Sequence, residues 1–175
     1  MAVEHRYIAY LAMYIYTSFL YISGIFVCYN QAIYKEYKML EFNGLNIWAV
    51  VVAWLFSVIL GSFWYSPAGF GKVWSKLSGV DMMKTPKEET TRAILFVIFS
   101  SLLQAIALGL ILNSLNVSGI GEGIAASFVL WFGFTALTTV GNTLYQRQSW
   151  KFWWLNASFF LIVMVVNGII FSLWV

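Results

Sequence analysis

The stretch "GSFWYSPAGFGKVWSKLSG", residues 61–79, contains a Gly-Lys pair, the residue types that cradle a phosphate. A phosphate loop of the Walker type needs a glycine five residues before the glycine of that pair and a Ser or Thr after the lysine. Here those positions hold Ser66 and Val73, and an apolar helix rather than a strand precedes them, so the pattern fails. Nucleophilic catalysis needs a base beside the nucleophile. The single histidine, His5, lies between Glu4 and Arg6 near the N-terminus, and the single cysteine, Cys28, lies in an apolar run. These counts exclude a Cys/His metal cluster and an intrachain disulfide. Glu88, Glu89 and Asp81 stand among Lys84, Lys87 and Arg92, the pattern of a solvated charged loop rather than of a catalytic acid pair. No cofactor and no catalytic set is implied.

The remaining polar chemistry is neutral. Gln104, Thr135, Thr138, Thr139, Asn142, Asn156 and Asn167 all fall within long apolar segments. Polar groups at such depth serve helix–helix hydrogen bonding or a solute site. Asn156 and Asn167 are eleven residues apart, three helical turns, and share a face with Phe160 and Val163. Thr135, Thr138, Thr139 and Asn142 line one face of the preceding segment. Where two such faces meet they form a polar seam, whose ordinary role is interhelical bonding and whose alternative role is a path for a neutral solute. With no charge in the seam there is no proton relay, voltage sensor or ion-coupling site.

The elements that must position these residues follow from composition. Of 175 residues, 61% are hydrophobic and only 10% charged, far from the balance of a soluble domain. The solvent is therefore lipid, and the net charge of +3 is not a nucleic-acid footprint. A spanning helix needs about 20 mostly apolar residues. Residues 7–29, 45–65, 93–112, 124–145 and 152–174 qualify, and none contains Asp, Glu, Lys or Arg. The connections are too short for a soluble catalytic domain. The fold expected is an all-α integral membrane bundle, with four helices in residues 45–174 and one extra helix and an outer linker in residues 1–44.

Lys and Arg set the orientation. Eight of the ten, Arg6, Lys72, Lys76, Lys84, Lys87, Arg92, Arg147 and Lys151, fall on one side, which is then the cytoplasmic side of a cell membrane; Lys35 and Lys38 fall opposite. The C-terminus is then outside. The first segment differs from the rest, with Tyr7, Tyr10, Tyr14 and Tyr21 on one face. A signal peptide is the other reading, though no small-x-small cleavage site follows, and a start at Met39 is a third.

Helices in lipid associate through small residues that allow close approach. Ala49, Ala53, Ser57 and Gly61 form an unbroken row at every fourth position, and Ser101, Ala105 and Gly109 form another. The two rows predict a close hairpin. Spans 45–65 and 124–145 are each followed by a basic, tryptophan-bearing segment, as a duplicated hairpin or recurrent interface anchors would produce. Glu122 stands at the start of the fourth span, where a carboxylate suits the helix dipole.

The opening stretch then reads as a helix end at the membrane interface. Pro67 stops the helix. Gly69 and Gly71 let the chain turn, and Phe70, Trp74 and Leu77 point into the leaflet while Lys72 and Lys76 reach water. Trp64 and Tyr65 sit at headgroup level. The same residues carry a resemblance. "LNIWAVVVAWLFSVILGSFWYSPAGFGKVWSKLSG", with Trp-Tyr-Ser-Pro followed by Phe-Gly-Lys-x-Trp, resembles the start of the family catalogued as domain of unknown function 1761. "WFGFTALTTVGNTLYQRQSWKFWWLNA" and "NGIIFSLW" resemble its last two helices, so the resemblance runs over residues 45–174. It implies a compact four-helix membrane domain, mostly bacterial, with no established activity; residues 1–44 depart from it.

These observations point to a multi-pass membrane protein, not an enzyme, whose partners are the lipid bilayer and copies of itself or another protein, met through the small-residue rows. A transporter or channel-like path for a neutral solute along the seam is the alternative. The basic face suits anionic lipid headgroups or a cytoplasmic protein, and nothing identifies a small-molecule ligand.

Overall fold

The computed structural model describes residues 43–80 and 84–174. The expected N-terminal span, its tyrosine face and most of its linker lie outside the described residues. Among those described, all regular structure is helical. We label the helices α1 (Ile47–Trp64), α2 (Gly71–Ser78), α3 (Lys87–Ser114), α4 (Ile120–Leu130), α5 (Leu137–Tyr145) and α6 (Trp150–Leu173). A π-helical segment, Trp131–Ala136, joins α4 to α5 without a break, so Ile120–Tyr145 is one continuous rod.

Four of these rods, α1, α3, the α4–α5 unit and α6, are long and apolar enough to cross a membrane. They have 18 to 28 residues, or about 27–42 Å at 1.5 Å per residue, from slightly under to well over a hydrocarbon layer about 30 Å thick, which spans of about 17–25 residues cross. Large apolar side chains cover their outside: Phe134 is 76% exposed, Ile59 and Val97 both 67%. In water such a surface would drive aggregation; in lipid it is the ordinary exterior. The chain is a multi-pass integral membrane protein.

Local chemistry explains the helix ends. Asn46 caps α1, its Oδ1 accepting from the backbone N–H of Trp48 at 2.9 Å and of Ala49 at 3.4 Å. At the other end, Gly69 and Gly71 sit against the carbonyls of the last turn of α1, so close that a Cβ at either would lie 2.3 Å from a backbone oxygen. This turn drops the chain into α2, where Lys72 and Lys76 are exposed while Trp74 and Leu77 are half-buried. Trp64 packs on Phe70 at 4.6 Å between ring centroids, and Tyr65 meets Trp74 edge-on at 6.1 Å. Pro67 is exposed, and Gly79, at φ 76°, ends α2.

One boundary differs from expectation. Residues 87–92 were expected in a loop, yet α3 begins at Lys87, with Pro86 as its N-cap residue and Glu88 and Glu89 in its first turn. A fixed proline φ followed by carboxylates at the positive end of the helix dipole is a helix start, and the charges belong to the helix.

The core lies along α6, which packs against all three other spans. Ala49, Ala53, Ala105, Leu108, Trp131, Ala157 and Met164 belong to it. Ala49, Ala53 and Ala105 of the small-residue rows are inside it, yet the rows serve α6 as much as each other. Gly61 faces Phe159, and a Cβ on Gly109 would lie 2.7 Å from the Phe171 ring. Ser101, half-buried, returns its hydroxyl to the Ile98 carbonyl. That same carbonyl receives the indole N–H of Trp54 at 3.1 Å, which ties α1 to α3.

Candidate functional site

The intramembrane polar residues gather around α6 in two separate groups. The first lies at the end of the bundle where α1 and α5 finish and α6 begins, here termed the basic end. The Tyr65 hydroxyl donates to Asn156 Oδ1 at 2.9 Å, and Asn156 Nδ2 donates to the Phe152 carbonyl at 2.8 Å. Facing them on α5, Thr139 Oγ1 accepts the indole N–H of Trp153 at 3.1 Å. Its own hydroxyl proton lies between the carbonyls of Thr135, at 2.7 Å, and Ala136, at 3.1 Å. Those carbonyls belong to the π-helical segment, where an extra residue per turn breaks the regular backbone ladder. Thr139 therefore meets a backbone need inside lipid and pins the bulge to α6 at once.

A second indole completes the clamp. Trp131, first residue of the π-helical segment and 5% exposed, donates Nε1 to the Ala157 carbonyl at 3.0 Å. Beside Trp153, Thr139, Asn142, Gln146, Phe152 and Asn156 line a cavity of about 210 Å³.

The second group lies deeper. Asn167, 1% exposed, donates Nδ2 to Ser57 Oγ at 3.0 Å, and Ser57 passes its proton to the Ala53 carbonyl at 2.8 Å. Between the two groups on α6, Val163 and Met164 are buried. The polar residues thus form two clusters with an apolar layer between them. Thr135 approaches the Met164 sulfur at 3.9 Å. Thr138 and Asn142 are exposed, and Gln104 on α3 is half-buried and bonds to none of the others. Asn167 Oδ1 and Ser127 Oγ are buried without a hydrogen-bond partner among the described residues.

Ser57→Ala is expected to lower stability by about 1 kcal/mol, within the range measured for hydrogen bonds between membrane helices. It removes the acceptor of the Asn167 amide and changes little volume. Reversible unfolding in mixed micelles gives the difference directly; an unchanged midpoint would mean the bond contributes nothing.

The tightest helix contact rests on residues outside the predicted rows. Gly123 and Ser127 on α4 meet Gly168 and Ser172 on α6. A Cβ on Gly123 would lie 2.6 Å from the Gly168 carbonyl oxygen, and one on Gly168 would lie 2.6 Å from the Gly123 oxygen. The backbones touch reciprocally, the geometry in which Cα–H groups meet carbonyls between helices. Both pairs have the small-x-x-x-small spacing that could have found them.

The opposite end of the bundle holds a cavity of about 530 Å³, lined mainly by Leu45, Ala49, Leu112, Val117 and Phe171 with Asn113 and Ser118 at its polar margin. Ser118 N–H donates to Glu122 Oε2 at 2.9 Å, so this carboxylate closes the first turn of α4. Among the described residues no group of His, Cys, Asp and Glu could hold a metal ion. The model of one protein family, described as "Protein of unknown function (DUF1761)", matches residues 48–172. No curated protein and no solved structure matches the chain.

Proposed function

The chain belongs to the DUF1761 family, and from that premise we propose that it is a non-enzymatic membrane component that works by lateral assembly, with copies of itself or with a partner helix. The small-residue rows of α1 and α3 are occupied inside the chain and are not the assembling surface. The observation that carries the reading is a third row. At every fourth position along the α4–α5 rod stand Gly121, Ala125, Val129, Gly133, Leu137 and Gly141. Gly121, Gly133 and Gly141 have nothing within 4 Å of where a Cβ would be. Glycine costs a helix about 0.5–1 kcal/mol relative to alanine. Three of them facing open space gain nothing among the described residues, whereas a further helix could approach them closely. The π-helical segment offsets about half of the drift that a strict fourfold spacing accumulates around a regular α-helix.

In this reading the basic end, with Lys72, Lys76, Arg147 and Lys151, faces the cytoplasm of a cell membrane, as the positive-inside rule directs. The alternative, a path for a neutral solute, draws on the two polar clusters, and the apolar layer at Val163 and Met164 argues against a continuous path.

A cysteine-free chain (Cys28→Ser) carrying Gly133→Cys should cross-link to dimers in native membranes under mild oxidation. A cysteine at Phe96, exposed on α3, should not. Gly133→Leu with Gly141→Leu should cut the co-purified oligomer at least tenfold without lowering the unfolding midpoint. Equal cross-linking from both faces, or an oligomer unmoved by the two leucines, overturns this surface.

A further inference from the structure

The cavity at the basic end is ordered by chemistry along its depth. Its deep part is apolar, with Ala157 and Phe160, and Phe152 stands nearer its mouth. Thr139 and Asn156 in its wall are already engaged, by Trp153 and Tyr65 respectively. Asn142 on α5 and Gln146, the residue just past its end, also line it, and neither side chain hydrogen-bonds another group among the described residues. Asn142 lies three residues before the end of α5 at Tyr145, hence about 5 Å below it along the axis. That is the depth of the interfacial layer, which adds about 5–8 Å to each side of the hydrocarbon. Arg147 follows Gln146 in the chain, Lys151 precedes Phe152, and both are exposed. No Asp or Glu occurs from residue 123 to the C-terminus, so nothing on these elements neutralises the two cations.

An apolar deep part, the Asn142 carboxamide at glycerol depth, the Gln146 carboxamide about 6 Å nearer the surface and two cations beside them follow the order of acyl chain, ester carbonyls and phosphate in a membrane lipid. We infer that the cleft between α5 and α6 binds one anionic glycerophospholipid. The acyl chain lies against Phe160 and Phe152, the Asn142 and Gln146 amides donate to the ester carbonyls, and Arg147 and Lys151 hold the phosphate. A lipid held here packs against the clamp formed by Trp153, Thr139 and the π-helical segment, so occupancy reaches the α4–α5 rod through existing hydrogen bonds. This site is on the α6 side of the rod, separate from the glycine row.

The test is native mass spectrometry of the full chain released from micelles containing equal amounts of phosphatidylglycerol and phosphatidylethanolamine. The wild type should retain one phosphatidylglycerol per chain. Asn142→Leu with Gln146→Leu, both at exposed positions, should lower the retained fraction about tenfold. Arg147→Gln with Lys151→Gln should keep a lipid but lose the preference for phosphatidylglycerol, and Thr138→Leu, exposed and outside the cavity, should behave as wild type. Excess inorganic phosphate should displace nothing. Retention and headgroup preference unchanged in both double variants would overturn the inference, as would displacement by free phosphate.

Discussion

Gly168→Ala is expected to destabilise the bundle by about 2–3 kcal/mol, the cost of forcing a group into a packed contact. The added methyl would stand 2.1 Å from Ser127 Oγ and 2.6 Å from the Gly123 carbonyl oxygen. A serine hydroxyl can rotate away, but Ser127 Cβ at 3.0 Å and the carbonyl cannot. The α4 and α6 backbones must therefore separate, and with them go the reciprocal Cα–H contacts. Two further substitutions identify the cause. Ser127→Gly in the Gly168→Ala background removes two of the three nearest atoms and should restore part of the loss. Gly133→Ala puts its methyl into open space, and should leave the folded protomer unchanged or raise its stability by about 0.5–1 kcal/mol. Unfolding of the three variants in mixed micelles measures all of this. A Gly168→Ala midpoint equal to that of Gly133→Ala would show that the close approach has no energetic weight.

The contrast between those two glycines marks what the amino-acid sequence could convey. Four of the expected spans coincide with helices to within a few residues, except where α3 starts early, because apolar length in lipid is decisive. Helical spacing put Ala49 and Ala53 on one face of their helix and Ala105 in a second row, and all three are buried. It could not say which neighbour each face would meet. Asn156 and Asn167 share a face of α6, yet their partners are Tyr65 and Ser57 at the end and middle of α1 rather than the threonine row of α5. Periodicity assigns a residue to a side of its helix, and only the order of helices around α6 assigns the partner. The π-helical segment was illegible for a related reason. "WFGFTA" carries no local signature, and its extra residue sets the register in which Trp131 and Thr139 both reach α6. Gly123 and Gly168, by contrast, had a readable spacing, obscured only by the abundance of small residues in membrane helices.

The same reasoning separates the two roles of small residues in this protein. At the crossing of α4 and α6, glycine is required because another backbone occupies the space of a side chain. Along Gly121, Gly133 and Gly141 the space is open, and only an element outside the described chain could use it. Substitution by alanine distinguishes them by sign, which a leucine scan, harmful at both, would not.

Gly71→Ala should have an effect of comparable size, about 3 kcal/mol, at the upper end of what single substitutions commonly cost, and localised to one turn. Its methyl would lie 2.3 Å from the Tyr65 carbonyl oxygen and 2.6 Å from that of Ser66. Both are backbone atoms of the turn that ends α1, so no side-chain rotation relieves the clash. Gly71 itself has no positive φ among the residues so noted, which makes the requirement one of space and not of backbone conformation. The turn holds three backbone bonds, from Gly69 and Gly71 to the Ser66 carbonyl and from Phe70 to the Trp64 carbonyl, between 2.7 and 3.1 Å. Opening it would swing α2 away and part Tyr65 from Trp74. The Tyr65–Asn156 bond that ties α1 to α6 would lose its support. Hydrogen exchange should therefore accelerate in residues 66–78 while the interior of α6 stays protected. Protection unchanged across that stretch would mean the turn can rebuild around a methyl group, and that the Gly-Lys pair which resembles a phosphate loop is not fixed by the space its glycine saves.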